Sequence, residues 1–241
     1  MRTDMRGKDF VTLMDYTGEE LQTILDVAFD LKRQNAMGAE HELLKNKTLG
    51  MIFAQPSTRT RVSFETGMTQ LGGHAQYYSE DNMQRKNKET WEDTGLVLSR
   101  YLDALMVRLY DLEKYGMARD IMNEIRKATT IPVINGLTDF CHPCQVLADL
   151  MTIREKMTRL EGLKLCFIGD GNNMANSLIV GGLKCGMDVS VACPEGYDPD
   201  PKVLDFAKTV TDAKFQLVRT PQEAAVDADV VITDVWASMG Q

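Results

Sequence analysis

From Gly18 to Met37 apolar side chains return at helical spacing (Leu21, Ile24, Leu25, Ala28, Phe29 and Leu31), and the run opens after Thr17 with two glutamates, so it predicts an amphipathic helix. Thr48–Ala54 (TLGMIFA) is a continuous apolar run of strand length, followed by a helix through Arg61, Phe64 and Met68 that stops at Gly72-Gly73. Strand-like runs recur at Ala104–Leu109, Ile131–Ile134, Lys164–Ile168, Asp188–Cys193, Phe215–Val218 and Val230–Thr233. Helical patterns separate them at Trp91–Tyr101, Leu112–Lys127, Gln145–Met157, Asn176–Cys185, Lys202–Val210 and Gln222–Val226. Strands alternating with helices predict an α/β fold of two doubly wound domains with parallel sheets, joined by interdomain helices. A helix over Pro143–Met157 is the natural joint, because a fresh strand–glycine–helix unit begins after it; the domains then run 1–148 and 149–241. Val230–Thr233 is followed by DVWASMGQ without a further crossover. Natural domains avoid such an open strand edge, so the second domain is expected to be incomplete and the chain part of a longer polypeptide. An intact mass equal to these 241 residues would contradict that.

Composition narrows the function. Hydrophobic residues make 44% and charged residues 26% of the chain, the balance of a globular protein rather than of a disordered or fibrous one. With 27 Lys+Arg against 35 Asp+Glu the formal charge is -8, so nucleic acid is not an expected partner and any anionic ligand must be held by a local cation cluster. The five cysteines follow no framework spacing, and Cys141 and Cys144 form a lone CxxC, so reduced thiols, no metal and a cytoplasmic location are expected. No apolar run reaches membrane-spanning length, and a membrane is not an expected partner.

The densest chemistry is Ser57-Thr58-Arg59-Thr60-Arg61, where the first buried strand gives way to its helix. A helix start offers unpaired N–H groups and the positive end of the dipole, and here three hydroxyls and a guanidinium stand at the same turn, an anion site. The plainer account is a cap by Ser57 or Thr58 with Arg61 paired to Glu65, but a cap needs one hydroxyl, not five polar residues in a row. Gly169-Asp170-Gly171 after a strand, with Glu195 beyond the next strand, points to the rival reading of a nucleotide-binding dehydrogenase; Met174 occupies the third glycine position of that fingerprint.

STRTRVSFE, the upstream KDFVTLMDYTGEEL and the downstream FCHPCQVLADL resemble the aspartate/ornithine carbamoyltransferase family over nearly the whole chain, Lys8 to Gln241. GDGNNMANS (Gly169–Ser177) and DVWASMG (Asp234–Gly240) resemble its ornithine branch. The resemblance implies transfer of the carbamoyl group from carbamoyl phosphate to the δ-amine of L-ornithine, giving L-citrulline and phosphate without cofactor or covalent intermediate. Ser57, Thr58, Arg59 and Thr60 would hold the phosphate; Arg108, at a strand end, and His142 with Gln145 would address the carbamoyl group. Arg108, His142 and the Thr60 hydroxyl would carry catalysis by stabilising the charge that builds on the carbonyl oxygen, each worth about 2.7–4 kcal/mol by analogy with comparable donors. Gln84 lies in a loop that in the family reaches a neighbouring subunit's site. Asn173, Ser238, Met239 and Asp234 would grip the α-amino and carboxylate ends of ornithine. The family's later HCLP cysteine and a still later arginine have no counterpart in these residues. The resemblance also implies a homotrimer or a multiple of it, with sites at subunit borders.

Taken singly, these residues read more plainly: Arg108 as a surface charge, His142 as a helix cap, Gln84 as part of a solvated loop with Arg85, Lys86 and Lys88. NKTLGMIFAQPSTRTRVSFET is also similar to putrescine-using relatives, which leaves putrescine as an alternative acceptor; a catalytically dead structural relative is a third class. The stretch after Arg108 carries a longer helical insert, Leu112–Lys127, than a typical ornithine enzyme, with packing or subunit contact as its expected use.

Overall fold

The computed structural model describes residues 3–79, 82–84, 89–110 and 114–234. They divide into two units. The N-terminal unit takes Asp4–Val11 and Asp26–Asp139, while the C-terminal unit takes Thr12–Leu25 together with everything from Phe140 onward. The division therefore falls at Asp139/Phe140, ahead of the helix expected to form the joint, and α1 (Gly18–Ala36) passes from one unit into the other.

In the N-terminal unit β1 (Thr48–Phe53), β2 (His74–Ser79), β3 (Ala104–Arg108) and β4 (Val133–Leu137) form a parallel sheet in the order β2-β1-β3-β4. The central strands β1 and β3 are buried on both faces, which is why they read as unbroken apolar runs rather than as alternation. Ile52, Leu105, Val107, Trp91, Met122 and Ile125 pack together in one core cluster, and Met51, Phe53, Met106 and Met68 in another. The helices are α2 (Thr58–Gln70), α3 (Trp91–Leu98) and α4 (Met117–Ala128). Beside β4, Phe10 makes a parallel bridge to Ile134, and the Asp9 carboxylate accepts from the Val133 N–H at 2.9 Å and from Arg126 Nε at 2.7 Å.

The strand expected at Ile131–Ile134 lies at Val133–Leu137, and two further elements depart more from the sequence expectation. Strand β2 was not expected, because HAQYYS is an edge strand with half-exposed positions and lacks an apolar run. The helix expected from Leu112 begins at Met117, after Gly116 at φ 90°, a conformation that favours glycine. Ala118, Met122 and Ile125 of this insert are buried in the core, so packing is what α4 does within its own unit.

The C-terminal unit repeats the scheme with β5 (Lys164–Ile168), β6 (Asp188–Ala192), β7 (Phe215–Val218) and β8 (Val230–Thr233), all parallel, in the order β7-β6-β5-β8. Its helices are α5 (Pro143–Met157), α6 (Asn173–Lys184), α7 (Pro201–Thr209) and the short α8 (Pro221–Ala225). Helix α6 is buried from Ala175 to Leu183, and its terminal Lys184 Nζ donates to the carbonyls of Leu13 (2.9 Å), Met14 (2.7 Å) and Tyr16, fixing the 3-10 turn Leu13–Asp15. Among the described residues no helix is long and apolar enough to cross a membrane.

Candidate functional site

Both strand orders contain a switch point, where the chain stops adding strands on one side and continues on the other: between β1 and β3, and between β5 and β8. Ligands of open α/β sheets bind outside the carboxyl ends of strands at such points. Ser57–Thr60 and Arg108 lie at the first, and Asn173 and Asp234 at the second.

In the N-terminal unit β1 leads through Ala54–Pro56 into α2, whose N-cap is Ser57. The Ser57 side chain makes no capping bond, so its hydroxyl remains for a ligand. Thr58 and Arg59 are exposed on the first turn beside half-buried Thr60, and 13-residue α2 is long enough to carry a full dipole. Arg61 is turned away along the helix, with Nε 2.9 Å from Glu65 Oε1 and its guanidinium 4.0 Å over the Tyr77 ring. Arg108 ends β3 across the switch point, only 7% exposed, and its Nη1 donates to Thr60 Oγ1 at 3.2 Å. It is a buried cation, not the surface charge a strand end suggests. Burial pushes its pKa down, Tyr110 acts in the opposite sense, and the charge of Arg59 pushes it down again. Its Nε–H has no acceptor, and among the described residues no carboxylate pairs with it. Two guanidiniums, free hydroxyls and a helix start thus converge where an anion would relieve their repulsion. Gln84 is exposed in the segment after β2.

His142 and Gln145 lie in the C-terminal unit, at the start of α5. His142 holds the N-cap position, but its side chain makes no cap bond. The exposed Gln145 donates from Nε2 to Asp149 Oδ1 at 2.9 Å. At the switch point of this unit β5 runs into Gly169–Asn172, and Asn172 caps α6 by accepting from the N–H groups of Met174 (2.9 Å) and Ala175 (3.2 Å). Asn172 Nδ2 also donates to Asp234 Oδ2 at 2.9 Å, tying the end of β5 to the end of β8. Asn173 follows on the first turn, buried at 9% exposure. Ser238 and Met239 lie outside the described residues. Sequence reasoning missed Asn172, whose signal is an asparagine directly before an apolar helical run. It also missed Asn176 and Ser177, buried polar side chains that anchor Phe140 and His142.

The dehydrogenase fingerprint is used differently. A Cβ on Gly171 would fall 2.2 Å from Pro199 N and 2.4 Å from Tyr197 O, and the Gly171 N–H donates to that carbonyl at 2.7 Å. The close approach that a dinucleotide pyrophosphate requires is taken by the chain's own Tyr197–Pro199 backbone. Asp198 in that loop is paired with Arg219, whose hydrogen bond holds the Asp198 carboxyl below its ordinary value.

Residues 8–155 match the model of the aspartate/ornithine carbamoyltransferase carbamoyl-P binding domain, and residues 161–241 match that of the Asp/Orn binding domain. The chain belongs to the aspartate/ornithine carbamoyltransferase family. It is 50% identical to the ornithine carbamoyltransferase of Pyrococcus abyssi, a match covering 100% of this chain and 75% of the relative. The anabolic ornithine carbamoyltransferase of Pyrococcus furiosus is likewise 50% identical over 100% of this chain and 75% of its own. Among solved structures, the Pyrococcus furiosus ornithine carbamoyltransferase superposes with TM-score 0.93 at 49% identity, covering 100% of this chain and 75% of that one. The Gloeobacter violaceus ornithine carbamoyltransferase follows with TM-score 0.85, 42% identity and coverage of 98% and 76%. The candidate residues of this carbamoyltransferase fall on separate units, Ser57–Thr60 with Arg108 on one and His142, Gln145, Asn173 and Asp234 on the other.

Proposed function

We propose that this chain transfers the carbamoyl group of carbamoyl phosphate to the δ-amine of L-ornithine, giving L-citrulline and phosphate, and that it works in arginine metabolism. The observation that carries the proposal is the buried Arg108, paired with no carboxylate among the described residues, beside Thr60 at the start of α2, a standing positive site for a small dianion. Ser57, Thr58, Arg59 and Thr60 bind the phosphate. Arg108, the Thr60 hydroxyl and His142 are the catalytic donors to the carbonyl oxygen, and Gln145 and Gln84 complete the carbamoyl-phosphate contacts. The neutral amine adds to the carbonyl carbon, negative charge gathers on the carbonyl oxygen, and the bond from that carbon to the bridging oxygen breaks with its electron pair leaving on phosphate, which takes up the proton the nitrogen loses. Donors fixed before the reaction stabilise that charge without reorganising, and holding amine and carbonyl together supplies much of the rate. A free alkylamine has a pKa of about 10.4, so the site must select the neutral form, and two nearby guanidiniums favour it.

Asn173, Asp234, Ser238 and Met239 hold the α-amino and carboxylate groups of ornithine. The Asn172–Asp234 bond supports this assignment, because it fixes a carboxylate at the strand end where an ammonium would sit. The first domain, bounded by the sequence at 1–148 where the compact unit ends at Asp139, is read as the carbamoyl-phosphate domain, and the second, bounded at 149–241, as the ornithine domain. A homotrimer, or a multiple of it, with sites at subunit borders belongs to the same reading, as does a cytoplasmic location; exposed Val97 and Tyr101 on the N-terminal unit support the first, and five cysteines in thiol form the second. Light scattering tests the assembly: three chain masses are expected, and a monomer would contradict it. Binding of a phosphonate analogue of carbamoyl phosphate tests the anion site. Arg59→Ala should weaken it about a hundredfold, in line with loss of a charge-assisted bidentate contact; unchanged affinity would remove Arg59 from the site.

A further inference from the structure

The two substrate-facing ends of the C-terminal unit, His142 at the start of α5 and Asn173 at the start of α6, are joined by one hydroxyl. Ser177 is 2% exposed; its Oγ accepts from the His142 backbone N–H at 2.8 Å and donates to the Asn173 carbonyl at 2.8 Å. Beside it Asn176, 1% exposed, donates from Nδ2 to the Phe140 carbonyl at 2.9 Å and accepts on Oδ1 from the Asp200 N–H at 3.0 Å. Helix α6 needs neither side chain for itself. Its start is capped by Asn172, and serine and asparagine are poor residues for a helix interior. What they do is satisfy backbone groups of the Phe140–His142 turn. The His142 N–H lies at the N-cap of α5, outside that helix's ladder of hydrogen bonds, so its partner must come from elsewhere.

We propose that Ser177 is a positioning residue that couples the aim of His142 to the placement of Asn173, so that the carbamoyl-facing and amine-facing groups are set by the same hydroxyl. The inference rests on the carbamoyl-transfer reading above. Ser177 has a single proton, which goes to the Asn173 carbonyl, while a lone pair takes the His142 N–H. Moving either end rotates the hydroxyl and weakens the other bond. Because His142 acts on charge that exists only in the transition state, loss of Ser177 should appear in kcat. Its effect through Asn173 should appear in KM for ornithine, with KM for carbamoyl phosphate nearly unchanged.

The test is a double-mutant cycle in the full-length protein, with kcat and both KM values for wild type, Ser177→Ala, His142→Ala and the double variant. Ser177→Ala should lower kcat about tenfold or more and raise KM for ornithine several-fold, while in the His142→Ala background it should lower kcat less than about twofold, since the group it aims is gone. Ser177→Thr keeps the hydroxyl and should restore kcat to within about threefold of wild type. Equal fractional losses in both backgrounds would mark Ser177 as merely structural and overturn the proposal. Ser177→Cys, nearly the same size with a weaker donor and acceptor, carries the same cycle where the alanine variant does not fold. Hydrogen–deuterium exchange of the peptide bearing His142 gives a readout independent of the reaction. Protection should fall about tenfold in Ser177→Ala, and unchanged protection would overturn the latch even in an enzyme that makes citrulline. A wild-type enzyme that carbamoylates no ornithine, with His142 protection lost in the variant, would instead overturn the functional reading on which the role depends.

Discussion

Arg108 is where function and stability pull apart. A guanidinium with 7% exposure and no carboxylate among the described residues is costly to bury, and it persists only if something other than the fold uses its charge. Arg108→Met should therefore lower turnover about 10²–10³-fold while leaving the melting temperature equal or higher. A stability loss above about 3 kcal/mol in thermal or urea unfolding would instead make it a structural ion. Ser57 permits a similar separation. An N-cap serine ordinarily contributes about 1 kcal/mol, but this one makes no capping bond, so Ser57→Ala should change stability by less than about 0.5 kcal/mol and still weaken a phosphonate analogue. The density of polar residues in STRTR points to more than a cap, but which of them are engaged elsewhere in the fold was not legible in it. Only the packed structure turns Arg61 onto Glu65 and Tyr77 and leaves Arg59 and Thr60 beside Arg108.

Strands buried on both faces, such as Thr48–Phe53 and Lys164–Ile168, announce themselves as apolar runs, and the alternation of strand and helix carried the fold class. His74–Ser79 did not, since an edge strand half open to water has no such run, and neither did the start of α4, which depends on the left-handed Gly116 rather than on helical periodicity. The Gly169-Asp170-Gly171 turn shows the same limit. Its glycines call for close approach by some backbone or ligand, and only the fold reveals that the partner is Tyr197–Pro199 of the same chain. Gly171→Ala should push that loop away, costing on the order of 3 kcal/mol of stability and loosening the turn that leads to Asn172. Urea unfolding together with the KM for ornithine checks this: a variant with wild-type stability would mean that the loop does not need the glycine.

None of the five cysteines forms a disulfide, and burial is the main cause that pushes Cys144 up to about 12 and Cys185 and Cys193 to about 11. The folded chain keeps these protons at a pH where the unfolded chain, with ordinary values of 9.0, has begun to release them. Their contribution to stability is thus complete below about pH 9 and is lost as pH rises through the folded values, so urea midpoints should fall between about pH 9 and 11. At pH 8 alkylation of these three in the native protein should be at least about a hundredfold slower than in urea; comparable rates would mean open thiols. The central claim, that the positive switch point of one unit and the Asn172–Asp234 end of the other serve carbamoyl transfer to ornithine, meets its most direct test in an assay of ureido product from carbamoyl phosphate. Ornithine, putrescine and aspartate are offered side by side to the full-length protein. Citrulline from ornithine, with one phosphate released for each, is the predicted result, whereas preference for another amine, or no product with any of the three, would contradict the account.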